Sequence, residues 1–255
     1  MVAQRINRLL RRAAPGPSSR VPDGVRVYAV GDSHGRLDLF EAIVERIAAD
    51  RVGWLGEAEV VLLGDYVDRG PDSARLLDRL AGPLPDWATW TLLKGNHEQA
   101  MLDSIEGSGG DRLLWLWLEN GGREAALSYG VPAPIAYGDD LDLIAKRLKA
   151  RVPAKHVALL RSLKLTHRVG DYLFVHAGIR PGVALDAQDE RDLLWIRNEF
   201  LDCRDDHGCV VVHGHSISRD VDERANRIGI DTGAYATGRL TAVVLEGTTR
   251  RYLAT

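Results

Sequence analysis

Five short apolar runs in this chain each end in an aspartate, asparagine or histidine beside a glycine, and that recurrence constrains the fold more than any other feature. Val25–Val30 leads into Gly31-Asp32-Ser33-His34-Gly35, and residues 60–63 lead into Gly64-Asp65-Tyr66-Val67-Asp68-Arg69-Gly70. Residues 89–93 lead into Lys94-Gly95-Asn96-His97-Glu98, Tyr172–Val175 into His176-Ala177-Gly178, and 210–212 into His213-Gly214-His215-Ser216. Two further β-rich runs lie at 227–230 and 240–245, while 37–50, 72–81, 98–106 and 141–165 carry helical patterns. Short strands alternating with helices predict an α/β fold. Strand ends that point one way collect their side chains along one sheet edge, where open α/β proteins bind ligands, and the glycines let backbone approach a bound group closely. One such turn would carry little weight, because Asp and Gly follow strands for conformational reasons alone. Five that offer only oxygen and nitrogen donors predict a metal site.

Composition removes several alternatives. With 45% hydrophobic and 27% charged residues the chain is of globular type, not disordered. It has no apolar run long enough to span a bilayer. A net charge of −3 and a pI near 6.2 supply no global attraction for nucleic acid. Neither nucleic acid nor membrane is therefore expected as a stable partner, and no obligate protein partner is evident. Cys203 and Cys209, the only cysteines, are too few for a zinc finger or a disulfide framework and fit the reducing cytoplasm. Residues 1–22 hold five arginines and no acid, and Ile6, Leu9 and Leu10 are too sparse for a secretory apolar core. They are expected to form a basic tail before a single domain at 23–255. Residues 99–171 lack a catalytic signature and are expected as a helical insertion, with 113–118 (Leu-Leu-Trp-Leu-Trp-Leu) first a buried helical turn and second a substrate-facing surface.

Nitrogen and oxygen donors favour manganese, iron or zinc over calcium. In an extended segment Asp32 and His34 point the same way and can chelate one ion; Asp65, Asn96 and further histidines can hold a second, with one carboxylate bridging. At these residues the chain resembles the phosphoprotein phosphatase family of binuclear metallophosphoesterases. That family's linked motifs GDxHG, GDxVDRG and GNHE stand at 31–35, 64–70 and 95–98, followed by HAG at 176–178 and GH at 214–215. The resemblance runs from about residue 25 to 246 and implies a calcineurin-like fold, a two-sheet β-sandwich flanked by helices.

Carried over position by position, it implies two divalent metal ions. Asp32 and His34 would bind the first, Asp65 would bridge, and Asn96, His176 and His215 would complete the second. His213 is expected to pack beside the site, since the family's ligand directly follows the glycine; Ile217 stands where wider metallophosphoesterases add another histidine. The ions would ionise a water for direct attack on phosphorus, lowering its pKa from about 15.7 to about 7. His97 would protonate the departing alkoxide, oriented by Asp68. Arg69 and Arg197 are the candidate phosphate clamps, because a guanidinium offers a planar, permanently charged fork to phosphate oxygens. Tyr235 either lines the substrate site or packs in its loop. His156, His167 and His207 are expected to be surface or structural.

These residues favour a protein phosphatase acting on phosphoserine or phosphothreonine. The main alternative is a symmetrical dinucleoside tetraphosphatase, a branch that typically replaces the Asp of DRG and carries GNHD; here Asp68 and Glu98 stand at those positions. A catalytically dead protein that binds phosphorylated partners is disfavoured, since all six ligands and the acid pair are intact.

Overall fold

Alternate residues of strand β1 (Val25–Val30) serve two different cores. Val27 and Ala29 face a second sheet, whereas Tyr28 and Val30 face helices, as the two-residue period of an extended chain requires. A strand covered on both sides has to be apolar almost throughout, which is why this run stands out in the sequence. The computed structural model describes residues 19–255. Its remaining strands are β2 (Glu57–Leu62), β3 (Thr89–Leu92), β4 (Thr166–Val169), β5 (Tyr172–Val175), β6 (Val210–His213), β7 (Asp222–Glu223), β8 (Arg227–Gly229), β9 (Thr241–Glu246) and β10 (Thr249–Ala254).

They form two five-stranded mixed sheets, in the orders β10-β9-β1-β2-β3 and β4-β5-β6-β8-β7. β1, β2 and β3 are parallel, as are β5, β6 and β8. Val61, Leu63, Val243 and Leu245 from the first sheet meet Tyr172, Phe174, Val212 and Ile228 from the second in a buried layer. The fold is thus the predicted two-sheet calcineurin-like sandwich, and its parallel strands deliver their carboxyl-terminal loops to one edge.

Helices α1 (Leu37–Asp50), α2 (Ser73–Ala81) and α3 (Asn96–Glu106) cover the outer face of the first sheet. Beyond them come α4 (Gly110–Trp117), α5 (Arg123–Ser128), α6 (Ala133–Ala136), α7 (Leu141–Lys149) and α8 (Ala154–Ser162), whose apolar sides extend the same core. The outer face of the second sheet packs on α9 (Glu190–Trp195) and α10 (Asn198–Leu201) through Leu193 and Phe200, and α11 (Ala234–Thr237) lies beside the strand ends.

Three features depart from the sequence expectation. The helical pattern over 141–165 is two helices, because Pro153 cannot continue α7 and instead opens α8. Thr166–Val169, expected within the insertion, pairs antiparallel with β5; like β7 and β10 it is an edge strand, and a half-solvated edge needs no alternation that would reveal it. Of the expected tail, residues 1–18 lie outside the described residues, but 19–22 belong to the fold. Val21 is fully buried with its N–H on the Gly247 carbonyl at 3.1 Å, and the Asp171 N–H donates to the Arg20 carbonyl at 3.0 Å. A single apolar residue between Arg20 and Pro22 has no period to announce it. Among the described residues, no helix is long and apolar enough to cross a membrane.

Candidate metal centre and active site

The loops after β1, β2, β3, β5 and β6 meet at one edge, and their backbone is unusual there. Among the described residues five non-glycine positions have φ in the left-handed region: His34 at 43°, Asp65 at 51°, Asp68 at 73°, Arg69 at 65° and His215 at 62°. All five lie in the motif loops. Each such conformation costs on the order of 1–3 kcal/mol and persists only where its surroundings over-determine it. His34 therefore does not reach the site through extended alternation with Asp32. A turn places its ring, held by the His34 N–H on the Asp65 carbonyl at 2.8 Å and the Gly35 N–H on the Tyr66 carbonyl at 2.7 Å. Gly214 shows the close approach expected of the glycines, since a Cβ there would sit 1.9 Å from Asp32 Oδ1.

Glu98 holds the strained loop after β2. Its Oε2 accepts the N–H groups of Asp65 at 2.7 Å and Gly95 at 2.8 Å; its Oε1 accepts those of Tyr66 at 2.7 Å and Val67 at 3.2 Å. Burial and the nearby Asp65 charge push its pKa up to about 8, yet all four neighbours are donors, so only the ionised carboxylate satisfies them. Replacing Glu98 with glutamine turns an NH₂ group toward two of those donors. The expected result is a loss of about 2–4 kcal/mol in unfolding free energy, measured by urea titration; an unchanged midpoint would show that the loop needs no such anchor. Glu98 is fully buried and absent from the cleft lining, so the Glu in GNHE acts through the loop and not by touching a substrate.

Asp65 is the hub. Its Oδ2 lies 3.5 Å from His34 Nε2 and 3.8 Å from His97 Nε2, while its Oδ1 lies 3.4 Å from His176 Nε2. On that second side Asn96 Oδ1 is 2.9 Å from His176 Nε2 and 2.8 Å from His215 Nδ1. Donor atoms of His34, Asp65 and His97 all fall within 4.8 Å of one another, as do those of Asp65, His176 and His215. The structure thus brings together five of the six predicted ligands, Asp65 itself with His34, Asn96, His176 and His215. Asp32 stands beside them, with Oδ2 accepting the His215 N–H at 2.9 Å and Oδ1 buried without a partner.

The histidines are set up as neutral donors. His34 Nδ1 faces the Val67 carbonyl and His176 Nδ1 the Leu63 carbonyl, both at 2.9 Å; each contact fixes Nδ1–H and leaves the Nε2 lone pair toward Asp65. Burial lowers the pKa of His34 to about 3 and, with the neighbouring His176, that of His215 to about 2. Burial, reinforced by the charges of Asp231 and Asp65, pushes the Asp32 carboxyl well up. Buried lone pairs, clustered carboxylates and an orphaned carboxylate oxygen are a mismatch that cations resolve, so these residues fit a metal centre. Nitrogen and oxygen donors without thiolate match the intermediate divalent metals.

The cleft above the centre, about 290 Å³, is lined by Asp65, Asn96, His97 and His215, by Arg69 and Arg197, and by Leu113, Leu116, Trp117 and Trp195. His97 Nδ1 meets Asp68 Oδ2 at 2.6 Å. Burial disfavours the imidazolium, but the charges of Asp65 and Asp68 and that hydrogen bond outweigh it and raise the pKa to about 9. Arg69 Nη1 is 2.9 Å from His34 Nε2, and Nη2 is 3.1 Å from His97 Nε2. With Nε2 protonated the last pair cannot bond each other, and an oxyanion between them would satisfy both. Tyr235 packs its ring under the Arg69 guanidinium at 4.7 Å and edge-on to His34 at 5.4 Å, but it is absent from the cleft lining, so it backs Arg69 and packs in its loop. The run 113–118 is not buried all round: Leu114, Trp117 and Leu118 are, whereas Leu116 is exposed and faces the cleft.

Several site residues escaped the sequence. Asp231 is buried, its pKa pushed up to about 6 by burial and Asp65, but it follows β8 without any distinctive neighbour. Trp117 donates from Nε1 to Asp68 Oδ2 at 2.8 Å, and nothing in an apolar run marks it for that contact. His213 is buried against Phe200, while His156 and His167 bond Asp78 and Glu59, outside the centre.

Comparison with known proteins agrees with this geometry. A serine/threonine-protein phosphatase 1 from Salmonella typhimurium LT2 is 30% identical over 223 residues, covering 84% of this chain and 89% of that protein. A symmetrical bis(5'-nucleosyl)-tetraphosphatase from Nitrosospira multiformis is 29% identical over 160 residues, covering 63% of this chain and 46% of that one. Among solved structures, one described as a "putative diadenosine tetraphosphatase" superposes with a TM-score of 0.59 at 21% identity, covering 94% of this chain and 96% of the other. The family model of the calcineurin-like phosphoesterases matches residues 25–241, from the first strand to the start of β9. A match of that extent makes this chain a member of the calcineurin-like phosphoesterase family, and so a metallophosphoesterase.

Proposed function

We propose that the protein removes phosphate from phosphoserine or phosphothreonine in other proteins, with two divalent cations, manganese first, held at the centre. Asp32, His34 and Asp65 would hold one cation; Asp65, Asn96, His176 and His215 would hold the other. Bound there, the cations would neutralise phosphate charge and lower the pKa of a coordinated water toward about 7. Arg69 grips the phosphoryl oxygens, and Arg197, which also lines the cleft, steadies them. Asp68 fixes the His97 ring through Nδ1, and His97 passes its Nε2 proton to the ester oxygen as the oxygen of a deprotonated water bonds to phosphorus and the ester P–O bond breaks. The free alcohol and inorganic phosphate leave, and no covalent enzyme intermediate forms.

The observation that carries this reading is the His97–Asp68 pair, 2.6 Å apart. A serine or threonine alkoxide is a poor leaving group and needs a proton, whereas a nucleotide leaving through its phosphate needs one far less. Side-by-side assays with manganese are expected to give a kcat/KM at least about 10-fold higher on a phosphoserine peptide than on diadenosine tetraphosphate, about 1.4 kcal/mol in transition-state binding. The reverse order would identify a tetraphosphatase.

A further inference from the structure

The helical insertion supplies part of the acid machinery. The indole N–H of Trp117 and Nδ1 of His97 both point at one atom, Asp68 Oδ2, at 2.8 and 2.6 Å. Trp117 is buried at the carboxyl end of α4, so its N–H has no water to turn to. The other carboxylate oxygen, Asp68 Oδ1, is buried without a partner, so the Asp68 side chain is held by those two donors alone. Its backbone is strained, with φ of 73° followed by 65° at Arg69. The chain beyond Trp117 fastens the same dipeptide, for the Arg69 N–H donates to the Gly121 carbonyl at 3.1 Å. Gly121 has φ of 109°, and a Cβ there would lie 2.6 Å from Arg69 Cγ. A Cβ on Gly122 would lie 2.5 Å from the Trp117 ring. Only glycines at both positions let this turn close on Asp68 and Arg69 while keeping the indole in place.

We propose that Trp117 is a positioning residue for proton donation, acting through Asp68 on His97. This rests on the reading of His97 as the general acid. With the indole N–H removed, Asp68 loses one of its two anchors and rotates, and the His97 ring no longer holds its Nε2 proton toward the ester oxygen. The loss then scales with how much the leaving group needs that proton.

The test compares Trp117→Phe, His97→Asn and the native enzyme, all loaded with manganese, on a phosphoserine peptide and on p-nitrophenyl phosphate. Trp117→Phe is expected to lower kcat on the peptide about 10-fold, the size of one charge-assisted hydrogen bond, while kcat on the aryl ester and both KM values change less than about 2-fold. Trp115→Phe, on the exposed side of the same helix, is expected to stay within about 2-fold throughout. Equal losses on both substrates, or none, would overturn the inference and leave Trp117 as packing. Equal losses in His97→Asn would remove the acid role itself, and the inference with it. A second readout needs no Trp117 variant: in protein labelled with ¹⁵N-tryptophan, one indole N–H resonance is expected far downfield and should move upfield in Asp68→Asn. If no indole resonance responds, the contact is not made in solution and the inference fails.

Discussion

Changing Asp65 to asparagine is expected to reduce turnover of every phosphate ester by at least about 10³-fold, with metal content falling below two ions per chain. Asp65 faces His34 through one oxygen and His176 through the other, so a single substitution weakens both halves of the centre. The scale follows from electrostatics: a unit charge 4 Å from another is worth roughly 4 kcal/mol at an effective dielectric constant near 20, about a thousandfold in an equilibrium constant. Even removing a partner behind a ligand costs about 10–100-fold, so a shared carboxylate has to cost more. Asparagine preserves shape, and its amide oxygen can still accept the His97 N–H that Asp65 Oδ1 accepts at 3.1 Å, so the loss reports charge. Metal analysis by mass spectrometry alongside steady-state rates measures it. Two bound ions and native turnover in the variant would refute the assignment of Asp65 as the bridge.

His97→Asn should lose about 10²–10⁴-fold in kcat on a phosphoserine peptide, the usual worth of a general acid, and far less on an aryl phosphate whose phenol leaves without help. The basis is local. Asp68 accepts from Nδ1, which leaves Nε2 facing the cleft, and the surrounding carboxylates keep the ring protonated at neutral pH. Rates across a series of aryl phosphates of graded phenol acidity give the measurement. In the variant the rate should depend more steeply on leaving-group acidity; parallel lines for variant and native enzyme would take His97 out of the proton transfer.

The legibility of this molecule differed from element to element for physical reasons. β1 and β5 stood out at full length because both their faces are buried, whereas β7 and β10 are edge strands that tolerate charge. The motif loops are visible as Asp, Asn, His and Gly in fixed order, but extended alternation does not bring Asp32 and His34 together, since His34 turns into the left-handed region. Glu98 was legible as a letter and opaque as a part: only the folded chain reveals four N–H groups converging on its carboxylate. Trp117 lies twenty positions beyond His97, and the contact it makes depends on how α4 packs, which the run 113–118 does not encode.

Local order along the chain determined which chemical groups stand at strand ends, and with them the donor types, the α/β class and the family, because motifs and strand periodicity are short-range properties. Tertiary structure decided what those groups do to each other: which oxygen of Asp65 faces which histidine, which backbone turns are strained and what restrains them, and which helix lends Asp68 its second donor. Such relations join residues tens to more than a hundred positions apart. They are set by the packing of sheets and helices, which no single stretch of sequence contains.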